Sequence, residues 1–418
     1  MADSQLIHDT LPVEVLQEIF ILTSSIETQR NGRLLFRNRF CPLNFGRICK
    51  AWRAIAWSTP SLWSALEISA AGDSDKNLET NIPLVQEWLD RAKTCPLSIS
   101  LSSPSHLSDK CDVLVRTLVA CSKTWIYMDL CLPFGWSFNI RNIMASSEMP
   151  LLQTLFIEGH ASSHAFSGAK ALSKVVIAGQ GYHSFCPLQR FPLAFLGSGS
   201  LTYGEFRNAL VMVPRLRVFE GTIFGSARDE ENTSLQPHHL SELSIRQGRP
   251  QTADFVALLH SIRLPSLSTL RLSQTDSAMD LGLTTDSFLG GVLNRWKCQL
   301  TTLMLGPMTL PEEGLIHALN ALPTLRHLTL IDLRKCLRGS TEARWLDLSH
   351  LLYTSSTFLP SLDTLRLGEF DYPSNFPPRM TIFFERIKAF RTVENFPLRS
   401  SDLPFKIVLL QRYSEKWW

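Results

Sequence analysis

One pattern, Leu-x-x-Leu-x-Leu with Val or Ile admitted at the later places, returns seven times and constrains this chain more than any other feature. It reads Leu152-x-x-Leu155-x-Ile157, Leu172-x-x-Val175-x-Ile177, Leu240-x-x-Leu243-x-Ile245 and Leu267-x-x-Leu270-x-Leu272, then Leu300-x-x-Leu303-x-Leu305, Leu325-x-x-Leu328-x-Leu330 and Leu362-x-x-Leu365-x-Leu367. Four of these follow Pro-Leu, Pro-Ser-Leu or Pro-Thr-Leu. Apolar residues two apart share one face of a strand, so each recurrence predicts a short strand with one buried side. Weaker versions stand at Leu97-x-Ile99-x-Leu101, Trp125-x-x-Met128-x-Leu130, Leu201-x-x-Gly204-x-Phe206 and Leu216-x-x-Phe219.

The segments between carry helical spacing: residues 255–259, 288–293, 315–319 and 348–352, with Val85, Trp88, Leu89 and Ala92 ahead of Leu97 and Val113, Leu114, Leu118 and Val119 ahead of Trp125. Leading leucines stand 27, 33, 25 and 37 residues apart (240 to 267, 267 to 300, 300 to 325, 325 to 362). The motif resembles that of leucine-rich repeats, with a longer helix per unit accounting for the longer period. One strand–helix unit cannot hide its apolar side, so stacked units must bury it together. The expected fold class is therefore α/β: an irregular strand–helix solenoid over residues 82–371. Residues 69–81 are expected to be a linker or loop, and 372–418 an atypical cap with a helix near 380–390 and a strand near 405–410. The closing Trp417-Trp418 suits a docked aromatic end.

The N-terminal part follows another pattern. Residues 11–22 read Leu-Pro-Val-Glu-Val-Leu-Gln-Glu-Ile-Phe-Ile-Leu, with Pro12 suited to a first helical turn and Glu14 to the positive end of the helix dipole. Val15, Leu16, Ile19 and Phe20 make one broad apolar face. Residues 23–40, with Asn31-Gly32 and Arg30, Arg33, Arg37 and Arg39, suggest a loop; a second helical pattern spans 43–56, with Phe45, Ile48, Cys49, Trp52, Ile55 and Ala56 at three-four spacing. Together "LPVEVLQEIF", "ICKAWRAIA" and "PSLW" resemble the F-box, in the form abundant in mushroom-forming fungi, over residues 6–68. The insertion at 23–40 departs from its commonest form.

The resemblance implies an all-helical domain that binds the adaptor subunit of a cullin–RING ubiquitin ligase, and through it a cullin. By the family pattern, Leu11, Pro12, Val15, Ile19, Cys49 and Trp52 would lie near that interface. Some apolar positions, Leu16 and Ile48 especially, serve equally well as internal packing, since a small domain has few apolar side chains for both tasks. The repeats would then hold a client protein on outward strand positions: Gln153, Thr154, Glu242, Arg271, Thr302, Arg326, His327 and Arg366. The function expected is that of a substrate receptor, with a non-degradative F-box and repeat scaffold as the alternative.

Composition narrows the field. A formal net charge of +3 over 418 residues gives no reason to expect nucleic acid or an acidic membrane as partner. No apolar run reaches the roughly 18 residues of a membrane span, and Met1-Ala2-Asp3-Ser4-Gln5 has neither the basic nor the apolar region of a secretory signal. Nine scattered cysteines fit reduced thiols of a cytoplasmic or nuclear protein. No phosphate loop, GxGxxG, HExxH or GxSxG is present. His160 and His164 beside Glu158, and His238-His239, lack the further converging ligands of a metal site. Neither enzymatic activity nor a cofactor or metal is expected.

Overall fold

The computed structural model describes residues 11–24, 27–28, 34–35, 42–69, 75–102, 110–131, 138–158, 166–178, 191–225, 238–248, 252–274, 288–306, 308–310, 312–331, 333–335, 344–345, 359–370 and 406–413. The chain divides into two units, Met1–Gly197 and Ser198–Trp418.

The first unit opens with helices α1 (Val13–Thr23), α2 (Pro42–Phe45) and α3 (Lys50–Ser58), then a 3₁₀ turn at Pro60–Trp63. Parallel strands follow: β1 (Ala65–Ser69), β2 (Leu97–Ser102), β3 (Trp125–Cys131), β4 (Thr154–Glu158) and β5 (Lys174–Ala178), each paired with the next. Helices α4 (Asp75–Ala92), α5 (Lys110–Val119) and α6 (Phe138–Ala145) connect the first four. Strand β6 (Phe195–Thr202) contains the point of division. In register, Leu66, Ile99, Met128, Leu155 and Val175 form one inward row, and all are buried.

The second unit continues with α7 (Tyr203–Met212), β7 (Val218–Phe224), β8 (Glu242–Gln247), α8 (Thr252–Ser261), β9 (Thr269–Gln274), α9 (Phe288–Trp296) and β10 (Thr302–Leu305). Then come α10 (Glu312–Asn320), β11 (His327–Ile331), β12 (Thr364–Phe370) and β13 (Lys406–Tyr413). β7 to β13 pair in sequence order, all parallel. Phe219, Leu243, Leu270, Leu303, Leu328 and Leu365 are register partners and are essentially inaccessible to solvent. The leading leucines 240, 267, 300, 325 and 362 are buried too. Each such side chain contributes about 1.5–3 kcal/mol on burial, before the entropy cost of ordering it. Parallel strands alternating with helices around a shared apolar row are what a strand–helix solenoid requires.

All seven strong motifs fall at strands, as their spacing predicts, and α8, α9 and α10 cover the helical segments near 255, 288 and 315. Four details differ. The spacing predicts one helix over 43–56, but it breaks between α2 and α3. Gly46 lies so close to Trp57 that a Cβ built on it would stand 2.3 Å from the ring, and Arg53 Nε donates to the Gly46 carbonyl at 2.8 Å. Cys49 is extended there (φ −155°, ψ 170°), and its thiol accepts from the Trp52 amide at 3.4 Å, capping α3.

The second difference is the weak motif at Leu201, where the strand ends at Thr202 while Gly204 and Phe206 lie on α7. Thr202 and Glu205 form a reciprocal capping box that starts the helix: the Glu205 carboxylate accepts from the Thr202 amide at 2.8 Å, and the Thr202 hydroxyl accepts from the Glu205 amide at 3.2 Å. Third, residues 69–81 contain the end of β1 and the start of α4. The polar composition that suggests a loop there is equally that of a first helical turn. Fourth, the C-terminal strand runs Lys406–Tyr413, slightly longer than expected. The helices expected at 348–352 and 380–390, and Trp417-Trp418, lie outside the described residues.

Candidate functional site

The N-terminal helices sort their apolar residues into two sets. Leu16 and Phe20 point inward from α1, and Phe20 stacks on Phe45 with ring centroids 4.3 Å apart, tilted against Trp52 at 4.8 Å. On the other side Val15, Ile19 and Leu22 remain 42%, 39% and 70% exposed, at spacings of four and three that set them along one stripe of the helix. Val13, Leu43 and Ile48 are exposed as well. The broad face seen in the sequence is therefore divided: Leu16 is packing, whereas Ile48, for which packing was an equal reading, faces solvent.

Of the other residues the F-box resemblance singles out, Pro12 is exposed immediately ahead of α1, where its carbonyl accepts from the Val15 and Leu16 amides. Leu11, Cys49 and Trp52 are half-buried. Cys49 and Trp52 thus build the support beneath the exposed stripe, one as a helix cap and the other as a ring against Phe20.

An aromatic joint fixes these helices to α4. Trp63 is fully buried; its indole N–H donates to the Ala56 carbonyl at 2.8 Å, and its own carbonyl accepts from the Trp88 indole at 2.8 Å. Trp57 and Trp88 meet the Trp63 ring edge-on at centroid distances of 5.2 and 4.8 Å. The Arg91 guanidinium lies 4.9 Å from the Trp57 ring centre and 4.7 Å from that of Trp63, and pairs with Glu87. The "PSLW" motif places Trp63, while the partnership with Trp88 and Arg91 has no local sequence signal.

In the second unit the outward strand positions form rows. Glu242, Thr269, Thr302, His327 and Thr364 are register partners in one row; Ser244, Arg271, Met304, Thr329 and Arg366 make the next. Five of the expected client-facing residues, Glu242, Arg271, Thr302, His327 and Arg366, thus share a face, and none is fully buried. Glu242 and Arg271 approach to 3.7 Å, a loose pair on half-exposed side chains. Arg326 is exposed but precedes β11 and stands outside the rows.

Gln153 and Thr154 belong to the first unit, at the entrance and first residue of β4. The face there is more covered. Tyr127 and Phe156 are buried 5.6 Å apart, with the Lys174 ammonium 5.6 Å from the Phe156 ring and 4.5 Å from Phe195. Asp129 is buried in that face, and partial burial together with the Asp129 charge raises the Glu67 carboxyl above its usual range.

Other candidate chemistry resolves into packing. His238 is buried, its Nε2 donating to the Val213 carbonyl at 3.1 Å, and burial holds it toward the neutral form; His239 is exposed. Burial pushes the Cys298 thiol up to about 11, so it stays protonated at neutral pH. Cys49, Cys95, Cys121, Cys131 and Cys298 are free and half-buried. Among the described residues no three His, Cys, Asp or Glu side chains converge to hold a metal, and no helix is long and apolar enough to cross a membrane. His160, His164, Arg33, Arg37 and Arg39 lie outside the described residues.

No family model matches this chain, and no curated protein does. Among solved structures, a crystal structure of a Bacteroides fragilis protein matches at 14% identity and a TM-score of 0.36, over 71% of this chain and 78% of its own. That likeness is too loose to bear on function.

Proposed function

We propose that this chain is a substrate receptor of a cullin–RING ubiquitin ligase, with an F-box-like helical segment for the adaptor and leucine-rich-repeat-like units for a client. The observation that carries the reading is the solvent-exposed stripe Val15, Ile19 and Leu22 on a helix whose adjoining face is already packed through Leu16 and Phe20. Among the described residues these side chains have no internal task, and exposed apolar stripes of this kind mark docking sites. Burying what remains exposed of the three side chains is worth about 2–4 kcal/mol gross, at about 1.5–3 kcal/mol for a fully exposed side chain, which is the scale of a hot spot at the centre of an interface. They also include two of the positions that the F-box resemblance assigns to the adaptor.

The chain's part in the reaction would be positioning. The joint around Trp63 removes slack between the adaptor end and the first repeat helix. The half-exposed strand face carrying Glu242, Arg271, Thr302, His327 and Arg366 is where a client would sit, in the cytoplasm or nucleus. Co-purification from the native cell tests the reading: adaptor and cullin should accompany the chain, and a ubiquitinated partner should accumulate when the proteasome is blocked. Recovery of the adaptor with a partner whose level never changes would favour a non-degradative scaffold. Absence of the adaptor would overturn the proposal.

A further inference from the structure

The outward rows of the second unit are segregated by charge. Their carboxylates, Glu220 and Glu242, stand on β7 and β8, where Arg246 is the one cation beside them on the described strand positions. From β9 to β12, as far as Arg366, the outward positions of the described strands carry Arg271, His327 and Arg366 among threonines, Ser273, Met304 and Ile331, with no Asp or Glu. Arg366 is exposed and Arg271 is half-exposed, and among the described residues Arg271 makes a loose 3.7 Å ion pair with Glu242. Ser273, one alternation beyond Arg271 on the same face, has a buried hydroxyl without a hydrogen-bond partner.

Arg271 and Arg366 occupy one row, with Met304 and Thr329 as the register partners between them. Three interstrand steps of about 4.8 Å place the two arginines about 14 Å apart. An extended peptide advances about 3.4 Å per residue, so side chains four residues apart span that distance and emerge on the same side. A separation of two gives about 7 Å and six gives about 20 Å, while odd separations point opposite ways.

We propose that the β9–β12 face binds an extended client segment lying across the strands, with two carboxylate side chains four residues apart, one on Arg271 and one on Arg366. The side chain midway between them falls over Met304 and Thr329, both nearly buried, and is therefore small or apolar. Glu220 and Glu242 repel an acidic continuation and bound the site at β9. This rests on the receptor reading for the identity of the occupant as a client, although the chemistry of the face stands apart from it.

The test uses the full chain and fluorescein-labelled nine-residue peptides carrying two glutamates separated by two, four or six residues, followed by anisotropy at low salt. Separation by four should bind tightest, with Arg366→Glu or Arg271→Glu each weakening it about tenfold. In the double variant a peptide with lysines at the two places should bind better than the glutamate peptide. Equal binding at all separations, or binding indifferent to the charge reversals, would overturn the inference. Adaptor affinity is measured on the same samples. Intact adaptor binding with no spacing preference would sink the inference alone, whereas a spacing preference without adaptor binding would sink the receptor reading alone.

Discussion

Replacing Trp63 by alanine should unfasten the N-terminal helices from the first repeat. The ring is fully buried, donates to Ala56, and meets two tryptophans and an arginine. Loss of a buried Trp side chain costs about 3–5 kcal/mol, and an orphaned carbonyl acceptor adds roughly 1 kcal/mol. That is a large part of the roughly 5–15 kcal/mol that holds a typical domain together. The loss should be local to the first unit, because the Trp88 ring and the Arg91 guanidinium lose their contacts with the Trp63 ring there. Amide hydrogen exchange resolved by segment reads this directly: protection should fall by two or more orders of magnitude over Lys50–Ser58 and the second half of Asp75–Ala92, with β8 to β12 unchanged. Leu84→Ala is the control on the same helix; that side chain is exposed, and its removal should cost under about 0.5 kcal/mol. Unchanged protection in Trp63→Ala, or an equal loss in both variants, would refute the joint.

Other outcomes can be checked in the same way. Leu270→Asp or Leu328→Asp places an unpaired charge in a closed row and should cost several kcal/mol, seen as a lowered melting profile; an unaltered profile would show that these strands face outward. Thr202→Ala removes the capping box and should cost about 1 kcal/mol, read as faster exchange at the start of α7. His238 has its pKa lowered from 6.5 by burial, and its Nδ1 has no hydrogen-bond partner among the described residues. The unfolded chain therefore binds its proton at higher pH than the fold does, so stability should be full above 6.5 and decline as pH falls below it. His238→Gln should flatten that decline without abolishing it, since burial also lowers His260. An identical slope in the variant would remove His238 as a contributor.

Much of the architecture was legible because the inward leucines obey a simple rule: a strand with one closed face must repeat its apolar residues at every second place. Leu243, Leu270, Leu303, Leu328 and Leu365 announce themselves that way and fall in one row. The break at Gly46 was not legible, because it depends on Trp57, eleven residues on, filling the space of a side chain. The start of α7 is written in the sequence too, since Thr202 and Glu205 are a capping signal, but the leucine pattern overshadows it. The candidate docking stripe was half readable. Helical spacing groups Val15, Leu16, Ile19 and Phe20 on one face, but only the position of Phe45 and Trp52 shows which of them the chain keeps for itself. Charge segregation across β7 to β12 needs the register, which no single segment contains.

Equilibrium binding of purified ligase adaptor to the wild-type chain and to Ile19→Asp bears most directly on the function argued here. Ile19 is exposed, so the substitution leaves the fold and its melting profile intact while placing a charge at the middle of the stripe. The account predicts tight binding by the wild type and a loss of at least about a hundredfold in the variant, as for a central hot spot. Equal affinity for both proteins, or no binding by either, would contradict it.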